Sequence, residues 1–141
     1  MKKNLLIFSS VCMLLSSMVY AAEPGTHLTF RHLEALQPLD PLLTSSAETR
    51  FEQHTDPTRL SAPTAALKSA IPAGTDRATA QATLQNAGAH CHPIQDNVET
   101  CQYFDVQTRD EFVDAVNWHV MLHFDHDQVT NISIDRTWFR S

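Results

Sequence analysis

Val116-Asn117-Trp118-His119-Val120-Met121-Leu122-His123-Phe124 decides the fold of this chain. Val116, Trp118, Val120, Leu122 and Phe124 alternate with Asn117, His119, Met121 and His123 without a break. A period of two marks a strand with one face in a core and the other in water. Asp125-His126-Asp127-Gln128 reads as a turn, and Val129 to Phe139 as the returning strand, with Ile132, Ile134 and Trp138 on one face. Upstream, Ala89 to Ile94 and Glu99 to Val106 form another hairpin around Asp96-Asn97. Thr108 to Asp114 is polar and acidic and reads as a connection or one helical turn.

Before these strands the period lengthens. Thr26 to Gln37 predicts a short helix with Leu28, Phe30, Leu33 and Leu36 as its apolar residues, stopped by Pro38. Asp40-Pro41 places an N-cap acid ahead of a proline at the first helical position. Leu43, Ala47 and Phe51 continue that helix at i, i+4, i+8, and it fades near His54. Ser61-Ala62-Pro63-Thr64 reads as a linker. Ile71 to Asp76 is a loop ending in an N-cap at Thr75, and Ala80, Leu84 and Ala87 line a helix that Gly88 stops. The order predicts an α+β fold: N-terminal helices, then an antiparallel four-stranded meander. Residues 23–64 are a helical arm and residues 65–141 the α+β domain.

The first 22 residues predict a secretory signal. Lys2 and Lys3 precede an apolar run from Leu5 to Val19, and Val19-Tyr20-Ala21 closes it with small residues. That run is too short and serine-broken for a membrane span, and no second run approaches the length required. Cys12 lies within the run behind Ser9-Ser10-Val11, unlike a lipid-attachment cysteine at its end. The expected location is the periplasm or the exterior. Removing Lys2 and Lys3 leaves eight basic against sixteen acidic residues, so the net charge moves from −6 to −8. Such a surface argues against nucleic acid and anionic lipid, which recruit basic patches. It suits a basic protein partner or a cation.

Cys91 and Cys101 remain after cleavage. In an oxidising compartment, a hairpin turning at Asp96-Asn97 sets them opposite each other for a structural disulfide. A redox or metal-binding pair is the alternative, but the spacing is not CxxC.

From Ile71 onward the chain resembles the SmpA/OmlA (BamE) group of envelope proteins and the β-lactamase-inhibitor-like fold they share. Ile71, Gly74 and Thr75 sit where that family opens its helix, and Leu122-His123-Phe124-Asp125 with Val129-Thr130-Asn131-Ile132 match its closing hairpin. Leu84 and Gly88 are separated here, where the family joins Leu to Gly. The resemblance spans residues 71–138. It implies a protein-binding function, either as an inhibitor or as an envelope-assembly module, and a hairpin disulfide resembling that of inhibitors of this fold. Fold alone does not assign the function.

All eight histidines lie beyond the signal. His119 and His123 have a helical metal spacing, but on a strand they stand about 13 Å apart. His90 with His92, or His123 with Asp125, could chelate as neighbours on one face, yet these do not complete a four-ligand centre. If the Val116 stripe packs on the helices, Asn117, His119, Met121 and His123 point away from them. Asn131, Ser133, Asp135 and Thr137 join them from the returning strand, as do Tyr103 and Asp105. A polar face carrying Met and Tyr suits protein binding, since both are enriched in interface cores. No phosphate loop, nucleophile elbow or HExxH motif occurs, so neither an enzyme nor a cofactor is expected. The expected function is blocking an envelope or secreted enzyme. A non-lipidated assembly module and a histidine-based metal binder are the alternatives.

Overall fold

The computed structural model describes residues 27–41, 51–109 and 111–141. The signal segment, Cys12, the chain start at residues 23–25 and the helix expected through Leu43 and Ala47 lie outside them. The described residues form an α+β fold: three α-helices, one five-stranded antiparallel sheet and the Cys91–Cys101 disulfide. The helices are α1 (Phe30–Leu36), α2 (Ser61–Ala70) and α3 (Arg77–Asn86), with a 3-10 turn at Pro57–Leu60. The strands are β1 (Gln53–His54), β2 (His90–Gln95), β3 (Val98–Arg109), β4 (Phe112–Asp125) and β5 (Gln128–Arg140), ordered β1-β5-β4-β3-β2. No described helix is long and apolar enough to cross a membrane.

The alternating stripe becomes the buried centre of the sheet. Val116, Trp118, Val120, Leu122 and Phe124 are all buried, and β5 adds Ile132 and Trp138 to the same core. Leu67 and Ile71, at the end of α2, and Ala80 and Leu84 of α3 complete it. Phe124 pairs with Val129 and His123 with Asn131, so a bulge at Thr130 bends β5 beside the turn.

Four expectations change. The sheet gains a fifth strand, because Gln53 and His54 pair with Trp138 and Thr137 along the outer edge of β5. Ser61 to Thr64 is the first turn of α2, not a linker; Pro63 fits there because first-turn N–H groups have no helical partner. The N-cap of α3 is Asp76 rather than Thr75, its carboxylate accepting from Thr79 N at 2.9 Å and Thr79 Oγ1 at 2.6 Å. Those hydrogen bonds hold the Asp76 carboxyl below its ordinary value. Thr108 to Asp114 is no helical turn, because β3 and β4 run on until Arg109 pairs with Phe112.

The N-terminal segment is not a separate arm. Phe30 and Leu33 are buried in the same core as the sheet. Phe30 stacks on Tyr103 with ring centres 4.5 Å apart. Gly88 flanks that tyrosine at φ +103°, where an added Cβ would meet Tyr103 Cε2 at 3.3 Å. Arg136 of β5 is fully buried and binds this segment through three side chains. Its guanidinium donates to both carboxylate oxygens of Glu34, to both of Asp40 (3.0 and 2.8 Å) and to Thr55 Oγ1 at 2.8 Å. Trp118 Nε1 also donates to Glu34, at 2.9 Å. Burial alone would lower the Arg136 pKa, but the bonds to Glu34 and Asp40 outweigh it and hold the guanidinium above its ordinary value.

Two further arginines fix the ends of the sheet. Arg140 forms a two-bond pair with Asp114, at 2.7 and 2.6 Å. Arg77 opens α3 and ties it to both hairpin turns, through Asp127 at 2.9 Å, the Asp96 carbonyl at 2.8 Å and Glu99 at 3.0 Å.

Cys91 and Cys101 are directly opposed, 4.0 Å apart at Cα, and join the edge strand β2 to β3. Their separation of 10 residues predicts about 3 kcal/mol of stabilisation by the chain-entropy relation. A Cys91→Ala, Cys101→Ala double variant should lower the unfolding free energy by that amount, read as a lower urea midpoint with an m-value equal to or above that of the unmodified chain. An unchanged midpoint would show that the bridge does not restrict the unfolded chain.

Candidate binding face

A sheet covered by helices on one side leaves its alternate residues on the other. Register therefore fixes the open face. On β4 it carries Asn117, His119, Met121 and His123, opposite Thr137, Asp135, Ser133 and Asn131 of β5. Toward the other edge, Phe104, Gln102, Thr100 and Val98 of β3 oppose the same four β4 residues, and β2 adds His90 and His92 opposite Gln102 and Thr100. The sheet thus brings together Asn117, His119, Met121, His123, Asn131, Ser133 and Asp135 as the sequence suggests. Thr137 shares the face but is buried.

Tyr103 and Asp105 do not join them. They pair with Trp118 and Val116, which places them on the helix-covered side, and the Tyr103 ring packs on Phe30. Burial and the Asp105 charge raise the Tyr103 pKa against an opposing effect of Arg31. The misassignment has a plain cause. β3 has apolar or aromatic residues in both phases, Cys101 and Tyr103 in one and Phe104 and Val106 in the other. Period-two reasoning cannot choose between them.

The missed phase supplies the main apolar feature of the open face. Phe104, Val106, Val113 and Phe139 are 62%, 55%, 37% and 38% exposed. Val106 pairs with Ala115, which pairs with Phe139, so the patch crosses three strands at one end of the face. Its signal in the sequence is the Phe104-Val106 pair, out of phase with the disulfide.

The same residues border an unpaired strand edge. β2 stops opposite Gln102, leaving β3 without an outer neighbour beyond it among the described residues. The short Cα separation at Cys91–Cys101 marks a non-hydrogen-bonded pair, so the residues in the phase of Phe104 and Val106 direct their backbone groups outward. The Val106 N–H is met by the carboxylate of Asp105, at 2.9 Å. A charge folded onto an open edge is a common way to blunt it.

The electrostatics divide the face. The open face has His54, His90, His92, His119 and His123 at its register positions, with Asp135 and, at the end of β4, Asp125 as its fixed charges and no Lys or Arg; His54 lies in the row of Phe104, and the other four histidines lie beyond it. His54 Nδ1 lies 3.6 Å from Asp135 Oδ2. His54 was absent from the sequence expectation because β1 is only two residues long and has no readable period. The acids Asp96 and Asp127 sit on the hairpin turns, and Asp125 ends β4 in the phase of His123.

For metal binding, His90 and His92 share the open face, while Asp125 contacts His126 Nδ1 at 2.9 Å. Among the described residues no three His, Cys, Asp or Glu side chains converge to hold a metal ion.

No protein-family model, curated protein or solved structure matches the chain.

Proposed function

We propose that this is a periplasmic or secreted protein-binding domain that blocks an envelope or secreted enzyme through its open sheet face. The observation that supports this reading is the apolar patch of Phe104, Val106, Val113 and Phe139 bordered by Asn117, His119 and Met121. An apolar centre with a polar margin is the usual anatomy of a protein interface. The leader-like start and the disulfide support an oxidising location. The resemblance of residues 71–138 to the BamE group favours a second reading, a non-lipidated accessory module of envelope assembly, which would use the same face.

The test is affinity capture from envelope extract with the chain from residue 23 onward, beside a Phe104→Lys, Phe139→Lys variant and a His119→Glu, Met121→Arg variant. The expected result is one enzyme retained and inhibited by the unmodified chain, with affinity reduced at least about 30-fold in the Phe104 variant, as for loss of an interface centre. Equal retention by all three chains, at unchanged thermal midpoints, rejects the open face as the site. An assembly factor in place of an enzyme selects the second reading.

A further inference from the structure

We propose that the histidine end of the open face is a proton-dependent docking surface for an acidic polypeptide. This rests on the open face being a recognition surface, and it names the chemistry of what that end receives.

The inference comes from the distribution of charge by strand. β1 contributes His54, β2 His90 and His92, β4 His119, His123 and Asp125, and β5 Asp135; the open-face positions of β3 hold no titratable side chain. The other charged groups at its margins are Glu52 before β1, Asp96, His126 and Asp127 at the hairpin turns, Glu111 in the β3–β4 turn, and Lys68 of α2 beside Asn131. Five of the eight histidines therefore share one surface from which Lys and Arg are absent.

Imidazole is the side chain whose charge ordinarily changes between pH 5 and 8. With neutral imidazoles the surface holds two carboxylates, Asp135 and Asp125, and does not attract an anion. With protonated imidazoles it holds five cations against those two. A partner burying those cations must supply counter-charge, because an unpaired buried charge is strongly unfavourable. An apolar or basic partner cannot do so. Spacing adds a second argument. Alternate residues on a strand repeat at about 6.6 Å, so His90 and His92 match the repeat of alternate carboxylates in an extended acidic segment. The chain's net negative charge opposes the approach of an acidic segment at a distance and is screened by salt, whereas at contact the face presents five imidazoles against Asp125 and Asp135.

The experiment measures binding of fluorescent poly-L-glutamate to the chain from residue 23 onward between about pH 7.5 and about pH 5.8, at low and high salt. Affinity should rise about tenfold or more across that range, with at least about one proton taken up per complex from the slope of log affinity against pH. A variant with His54, His90, His92, His119 and His123 replaced by Gln should lose the slope. Binding without a slope, a slope retained in that variant, or no binding at either pH overturns the inference. If the variant does not fold, imidazole NMR titrations of the unmodified chain decide. Poly-L-glutamate should displace the imidazole signals of these histidines at about pH 5.8 and leave them in place at about pH 7.5, and signals unmoved at both overturn the proposal. Loss of enzyme capture through Phe104 and Phe139 is a separate readout, so either reading can fail alone.

Discussion

Arg136→Met is expected to destabilise the fold by about 3–5 kcal/mol, the range for removing one partner of a buried ion pair. The variant leaves the carboxylates of Glu34 and Asp40 without their principal cation. Asp40 is buried, and its remaining contact with Arg59 is long, at 3.8 Å. Trp118 Nε1 and Gln37 Nε2 continue to bond Glu34, but two neutral donors do not replace the guanidinium beside a largely buried carboxylate. In thermal unfolding the midpoint should fall by roughly 10–20 °C. Arg136→Lys should be intermediate, since an ammonium keeps the charge and loses the planar fork that serves two carboxylates. The triple variant Arg136→Met, Glu34→Gln, Asp40→Asn should recover part of the loss, because it removes the buried charges together. A single variant within about 1 kcal/mol of the unmodified chain would mean that solvent reaches this cluster.

Phe30→Ala should cost a similar amount, about 3–5 kcal/mol, from lost burial and the cavity left behind. The ring stacks on Tyr103 and also meets Trp118, with centres 6.3 Å apart. The effect distinguishes a docked helix from an arm. If α1 is integral, the variant shifts one cooperative transition seen both by tryptophan fluorescence and by far-UV circular dichroism. An arm would instead leave the sheet's midpoint in place, with only a small early loss of helix signal.

The strands were legible because their buried phase is almost wholly apolar. From Val116 to Phe124 each inward residue is hydrophobic and each outward residue is polar or Met, so period two has one interpretation. At the far end of the sheet the buried phase includes Asp114 and Arg140, which pair with each other. Each reads as exposed until the other is in place, and the strand ends were therefore misread. Arg136 hides in the same way among Ile132, Ile134 and Trp138. Its partners Glu34 and Asp40 lie about a hundred residues away, beyond any local pattern. The polar part of the candidate face followed directly from the β4 alternation. The apolar part did not, because β3 presents large side chains in both phases.

The links from Arg136 to Glu34 and Asp40 span 102 and 96 residues of chain. They set an order on folding. As a ribosome releases the polypeptide from its N-terminal end, α1 emerges first and the strand that holds it emerges last. Until Arg136 appears, Glu34 has only the neutral donors of Gln37 and Trp118, and Asp40 only the more distant Arg59. A nascent chain therefore stays loose through most of its release and closes only near completion. That delay makes any chain truncated before β5 a substrate for proteases rather than a smaller stable protein.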